Sequence, residues 1–85
     1  MTFEENKNIS ISHEAIKKIK ALDKPARNRV LKKIYNLPAG DVKKLQGYKD
    51  EYRLRIGDLR VLFSMNSDII VIKDVLPRGN AYNNL

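Results

Sequence analysis

The segment "YRLRIGDLRVLF", residues 52–63, alternates apolar and basic residues on either side of a Gly-Asp pair. Alternation of period two, broken by two turn-forming residues, is the pattern of a β-hairpin. With Gly57 and Asp58 as the turn, Ile56 faces Leu59, Arg55 faces Arg60, Leu54 faces Val61, Arg53 faces Leu62 and Tyr52 faces Phe63. Parity then assigns the faces. Tyr52, Leu54, Ile56, Leu59, Val61 and Phe63 share an apolar face that must be covered. Arg53, Arg55 and Arg60 share the other.

Directly opposed like charges destabilise an antiparallel pair by up to about 1 kcal/mol. Arginine is common on solvent faces, but here no Glu, Asp or Thr interrupts the patch within the hairpin. The arginine face is therefore expected to receive an anion. Lys73, on the following strand, is expected to join it, subject to turn length.

The rest of the chain supplies the cover for the apolar face. Residues 1–7 are polar and charged, a loose start. "NISIS" alternates Ile9 and Ile11 with polar neighbours, a short first strand. Ser12 can cap a helix whose apolar positions are Ala15, Ile16, Ile19 and Leu22. "LDKPA" breaks it, and Pro25 suits the first turn of a second helix. That helix carries Ala26, Val30, Leu31, Ile34 and Leu37 and ends at "LPAG". "DVKKLQGYKD" reads as a loop rich in lysine and glycine, with Lys43 and Lys44 as candidate RNA contacts. After the hairpin, "MNSD" is a turn, and "IIVIKDVL" is apolar enough on both faces to be an internal strand. The predicted order is β-α-α-β-β-β. It describes an α+β fold, an antiparallel twisted sheet with a helical hairpin on one face. At 85 residues, the chain is expected to form a single domain over 1–85.

The formal net charge of +7 and a pI near 9.8 favour an anionic partner. Lys17, Lys18, Lys20, Lys32 and Lys33 are expected on a solvated helix face. No apolar run approaches a membrane span, and "MTFEENKNIS" lacks the basic-then-apolar pattern of a signal peptide. Cysteine is absent, so disulfides and thiol chemistry are excluded. These features lead to the expectation of a cytoplasmic protein without a membrane partner.

Chemistry is narrowed in the same way. Asp50, Glu51, Asp58, Asp68 and Asp74 follow no metal-ligand spacing, so neither metal nor another cofactor is expected. His13 is the only histidine, which excludes a two-histidine mechanism, and it reads as a surface residue. What remains is Arg, Lys and Tyr. A guanidinium is planar, permanently charged and matched to phosphate. "LPRGNAY" sets Arg78 just past the internal strand and Tyr82 four residues further on. Arg78 could clamp a phosphate. Tyr82 could stack on a base or move a proton, and basic surroundings would favour its phenolate.

Taken together, "KKLQGYKDEYRLRIGDLRVLFSMNSDIIVIKDVLPRGNAY" resembles the RelE/ParE superfamily of bacterial toxins, the RelE branch in particular. The resemblance lies in L-x-G, the basic hairpin, the internal strand and R-G-x-x-Y. It implies two helices on a twisted antiparallel sheet. It also implies a toxin partnered by an antitoxin protein. Such toxins enter the ribosomal A site, with contacts to 16S rRNA, and cut mRNA there without metal. The RNA's own 2′-hydroxyl attacks, leaving a 2′,3′-cyclic phosphate and a 5′-hydroxyl. The family's functional positions are held here by Arg53, Arg55, Arg60, Arg78 and Tyr82. One departure stands out: relatives often carry lysine where this chain has Arg53 and Arg55. Arginine is a poor acid or base, which leaves these two mainly electrostatic and makes Tyr82 the best general-base candidate. The leaving oxygen could take its proton from Arg55, from water or from a ribosomal group. Two other readings compete: a ParE-like inhibitor of DNA gyrase that cuts no RNA, and a basic module for an acidic protein. Arg78 and Tyr82 favour the nuclease.

Overall fold

The computed structural model describes residues 8–77. Within them lie β1 (Asn8–Ile11), α1 (His13–Lys20), α2 (Lys24–Tyr35), β2 (Asp41–Lys44), β3 (Glu51–Ile56), β4 (Leu59–Met65) and β5 (Ile69–Pro77). The strands form one sheet in the order β1-β5-β4-β3-β2. The α+β class and the helical pair on one face are as expected. The structure adds two things. β1 pairs with β5 in parallel at one edge. Part of the segment read as a loop is a fifth strand, β2, antiparallel to β3 at the other edge.

Ser12 fixes the passage from sheet to helix. Its Oγ accepts from the Ala15 N–H at 3.1 Å and so caps α1. The same hydroxyl donates to the Lys73 carbonyl at 2.9 Å, and the Ser12 N–H donates to the Ile72 carbonyl. Asp23 caps α2 through the Ala26 N–H, and Pro25 sits in its first turn, where a missing N–H costs nothing. The helices bury Ala15, Ile19, Val30 and Ile34 against Leu54, Ile56, Val61, Phe63, Ile70 and Ile72. Fully burying side chains of this size is worth about 1.5–3 kcal/mol each. Ile16 shares the α1 stripe by spacing but stays 36% exposed, beside a groove with Leu31 of α2.

Gly40 delivers the chain from α2 into β2. Its φ is +118°, and a Cβ there would meet Leu54 Cδ1 at 3.0 Å. Only glycine combines that backbone with so close an approach to the core. β2 then lays Val42 beside Leu54 and puts Asp41 and Lys43 on the opposite face.

The 52–63 hairpin has the expected register, from Tyr52 opposite Phe63 to Ile56 opposite Leu59. The Tyr52 and Phe63 rings stack with centroids 5.5 Å apart. Gly57 takes φ +56°, the conformation glycine supplies at the first position of a two-residue hairpin turn. β5 is internal, as expected, but the β4–β5 ladder shifts register between Leu62 and Phe63. Lys73 is left without a register partner, and the buried positions switch from Ile70 and Ile72 to Val75. Among the described residues, no helix is long and apolar enough to cross a membrane.

Candidate functional site

The helices cover the Leu54–Val61 face, so alternation turns Arg53, Arg55 and Arg60 to the other side of the sheet. There the edge strand β2 and the loop after it form one wall of a hollow of about 310 Å³. It is lined by Lys43, Lys44, Leu45, Gln46, Arg53, Arg55 and Arg60. The three arginines expected to act together do line one cleft. Lys43, opposite Arg53 on β2, joins them, and Lys44 contributes to the lining.

The arginines are held differently. Arg60 is only 8% exposed, and its Nη1 donates to the carbonyls of Gly57 and Leu59 at 3.3 and 3.2 Å. Arg53 is also tied down: its Nη1 donates to the Asp41 carbonyl at 3.0 Å and to the Asp41 carboxylate at 3.2 Å. Arg55 is exposed and has no ion pair among the described residues. It lies between Asp41 on β2 and Arg60 on β4.

Asp41 corrects the expectation that no carboxylate would sit among the arginines. The sequence hides it because residues 41–50 have the composition of a loop, where parity carries no meaning. Lys73 also needs correcting. It donates to Glu51 Oε2 at 2.9 Å and lines a separate hollow with Leu45, Tyr48, Lys49 and Leu62. It lies on the sheet face that carries Arg53, beside Leu62 and Glu51, but its bond to Glu51 holds it in that second hollow and it does not join the arginine cleft. Arg78 and Tyr82 lie outside the described residues.

His13 is an exposed first residue of α1. Among the described residues, no group of three or more His, Cys, Asp or Glu side chains is placed to hold a metal ion. Among the described residues the cleft lining contains neither histidine nor phenol, and the carboxylate beside it, Asp41, is bonded to Arg53. It can therefore bind and polarise an anion, and proton transfer must be supplied by other groups.

A five-stranded α+β sheet with a basic cleft on its open face has the charge and shape to receive an anion. The profile of the ParE toxin of type II toxin–antitoxin systems matches residues 9–82. The chain belongs to this family, within the RelE/ParE superfamily. Toxin RelE3 of Methanocaldococcus jannaschii is 40% identical over 43 residues, which cover 51% of this chain and 49% of that protein. The chain thus spans about half the length of this curated relative. RelE in the RelE–RelB complex of Pyrococcus horikoshii is 32% identical, with a TM-score of 0.73 over 89% of this chain and 99% of that one. In the RelB–RelE complex of Methanococcus jannaschii the values are 26%, 0.70, 89% and 98%.

Proposed function

We propose that this toxin is a ribosome-dependent endoribonuclease that cuts mRNA in the A site. The observation carrying the reading is the cleft itself: three guanidinium groups and two lysines converge there, and the Asp41 carboxylate beside them is bonded to Arg53. Arg53 and Arg60, held by backbone carbonyls, form a fixed frame for a phosphate. Arg55, exposed and without an ion pair among the described residues, is the guanidinium open to the charge that develops on phosphorus. Preorganised charge of this kind stabilises a transition state without reorganising during the reaction. Arg78 would add a further phosphate contact, and Tyr82 would take the proton from the attacking 2′-hydroxyl. The P–O5′ bond then breaks, leaving a 2′,3′-cyclic phosphate and a 5′-hydroxyl. The leaving oxygen is protonated from outside the cleft.

A cognate antitoxin is the second partner. The Pyrococcus and Methanococcus relatives were solved as RelE–RelB complexes. An antitoxin segment bearing carboxylates over or beside the arginine face would neutralise it, and such binding would weaken with salt.

The test is incubation with programmed ribosomes, read by primer extension, and in parallel with gyrase and DNA. The expected result is a cut in the A-site codon, abolished when the 2′-hydroxyl of the cut nucleotide is replaced by hydrogen. Gyrase inhibition without RNA cleavage would establish the ParE-like alternative, and cleavage of the deoxy substrate would overturn the proposed chemistry.

A further inference from the structure

Tyr48 is 43% exposed, and among the described residues its side chain makes no hydrogen bond or ring contact. The backbone that carries it is nonetheless anchored. The Leu45 N–H donates to the Glu51 carbonyl at 2.9 Å, and the Tyr48 N–H donates to the Leu45 carbonyl at 3.4 Å. The ring is thus presented on an ordered turn with its surface unused. Burying an aromatic ring gains free energy, so a ring exposed on a fixed turn can add to the binding of a partner.

Its surroundings say which partner. The turn lines a second hollow that shares Lys44, Leu45 and Gln46 with the arginine cleft, so the two adjoin. Lys44 and Lys49 flank the ring, and neither has an ion pair among the described residues. Beyond Tyr48 the third hollow contains Glu51, which neutralises Lys73. Unpaired positive charge therefore runs from Arg55 along the turn to Lys49 and stops at a carboxylate. A track of cations with an aromatic face beside it is the arrangement that binds single-stranded nucleic acid: the cations follow the backbone and a base stacks on the ring. An acidic protein segment would be drawn by the same lysines, but its carboxylates gain nothing from an open π-face, whereas every unpaired base can stack on one.

We propose that Tyr48 is a stacking platform for an unpaired base of RNA whose neighbouring phosphate lies in the arginine cleft, with Lys44 and Lys49 along the adjoining backbone. The inference deepens the nuclease reading and rests on it, by adding a base subsite beside the phosphate site. Because every base has a π-face, this subsite would fix the register of the strand and impose little sequence preference.

The test uses the full chain and a short single-stranded 2′-O-methyl RNA, which cannot be cut, carrying 2-aminopurine, whose fluorescence falls on stacking. Wild type should quench it. Tyr48→Ala should abolish quenching and weaken binding by about five- to a hundredfold, the range for losing one stacked base. Tyr48→Phe should stay within about twofold of wild type. Lys49→Gln should keep the quenching and reduce the slope of binding against salt by about one. Wild type without quenching, or Tyr48→Ala that quenches like wild type, overturns the platform. So does a Tyr48→Ala variant that loses affinity for a polyglutamate peptide but keeps it for RNA. Cleavage on programmed ribosomes is scored separately. If wild type cuts, Arg60→Ala does not, and Tyr48→Ala binds RNA normally, then the platform fails and the nuclease reading stands. If wild type quenches through Tyr48 yet cuts nothing, the nuclease reading fails and the platform stands.

Discussion

Arg53 donates from one guanidinium nitrogen to both the backbone carbonyl and the carboxylate of Asp41. The strand pairing sets Asp41 opposite Arg55 as well. One carboxylate on an edge strand therefore moderates two of the three cleft arginines. Asp41→Asn should leave Arg53 in place, because the carbonyl bond survives. It should raise affinity for RNA at low salt several-fold, with the gain vanishing near 1 M salt, where charges are screened beyond about 3 Å. The side chain of Asp41 is mostly exposed, so the change in stability should stay within about 1 kcal/mol. Filter binding across a salt series measures the first effect, and thermal melting the second.

Arg55 stands between an opposite charge on β2 and a like charge on β4. Attraction to Asp41 offsets repulsion from Arg60, so the hairpin is not under the strain that the hairpin sequence alone suggests. Arg55→Ala should shift the melting temperature by no more than a few degrees. Single-turnover cleavage on ribosomes should nevertheless fall about a hundred- to a thousandfold, the usual cost of removing one positioned charge from a transition-state clamp. Normal cleavage by this variant would remove Arg55 from the mechanism.

Lys43 and Lys73 were equal candidates from sequence, and the structure separates them. Lys43 lines the arginine cleft, whereas Lys73 is bound to Glu51 outside it. Lys43→Ala should weaken RNA binding and lower its salt slope by about one. Lys73→Ala should change both little. Equal losses in the two variants would show that the track extends past Glu51.

The hairpin register was legible because the Gly57–Asp58 turn and the period-two pattern each specify it, and both give the same pairing. β2 was not legible: four residues with a single apolar position, Val42, cannot display a period. Asp41 was lost with it. The bulge at Lys73 was hidden for a different reason. A segment such as "IIVIKDVL", apolar at every position but Lys73 and Asp74, looks the same with or without one extra residue. Nor does any local pattern name β5 as the parallel partner of β1, because that pairing depends on the crossover through both helices. The cleft arginines were found because charge on a half-buried strand has to be accounted for. Tyr48 gives no comparable signal, because an aromatic in a loop carries no such demand.

Gly40 offers a check on the fold that is independent of function. At φ +118°, with Leu54 Cδ1 3.0 Å from a would-be Cβ, Gly40→Ala meets both a backbone and a steric penalty. Strain of this kind costs on the order of 1–3 kcal/mol. For a domain of this size, each 1 kcal/mol lowers the melting temperature by about 4–8 °C. A variant that melts like wild type would show that the entry into β2 relaxes, and the wall that β2 gives the cleft would then be less fixed than described.

Arg60 and Arg55 should respond differently to lysine. Arg60 is buried, and its guanidinium donates to two carbonyls of the hairpin turn while lining the cleft. The planar fork allows one group to hold the turn and face a phosphate together, whereas a lysine ammonium is a single compact charge on a flexible stem. Arg60→Lys keeps the charge and loses the fork, so it should cleave almost as poorly as Arg60→Ala. It should also melt lower than wild type, because two partly buried carbonyls lose donors, each worth about 0.5–1.5 kcal/mol. Arg55 is exposed and has no fixed partner beyond its strand neighbours, so Arg55→Lys should retain most of the cleavage that Arg55→Ala loses. Measuring single-turnover cleavage and melting for all four variants separates charge from geometry. If Arg60→Lys cleaves like wild type, charge alone suffices at that position, and the fixed frame assigned to Arg60 has to be abandoned.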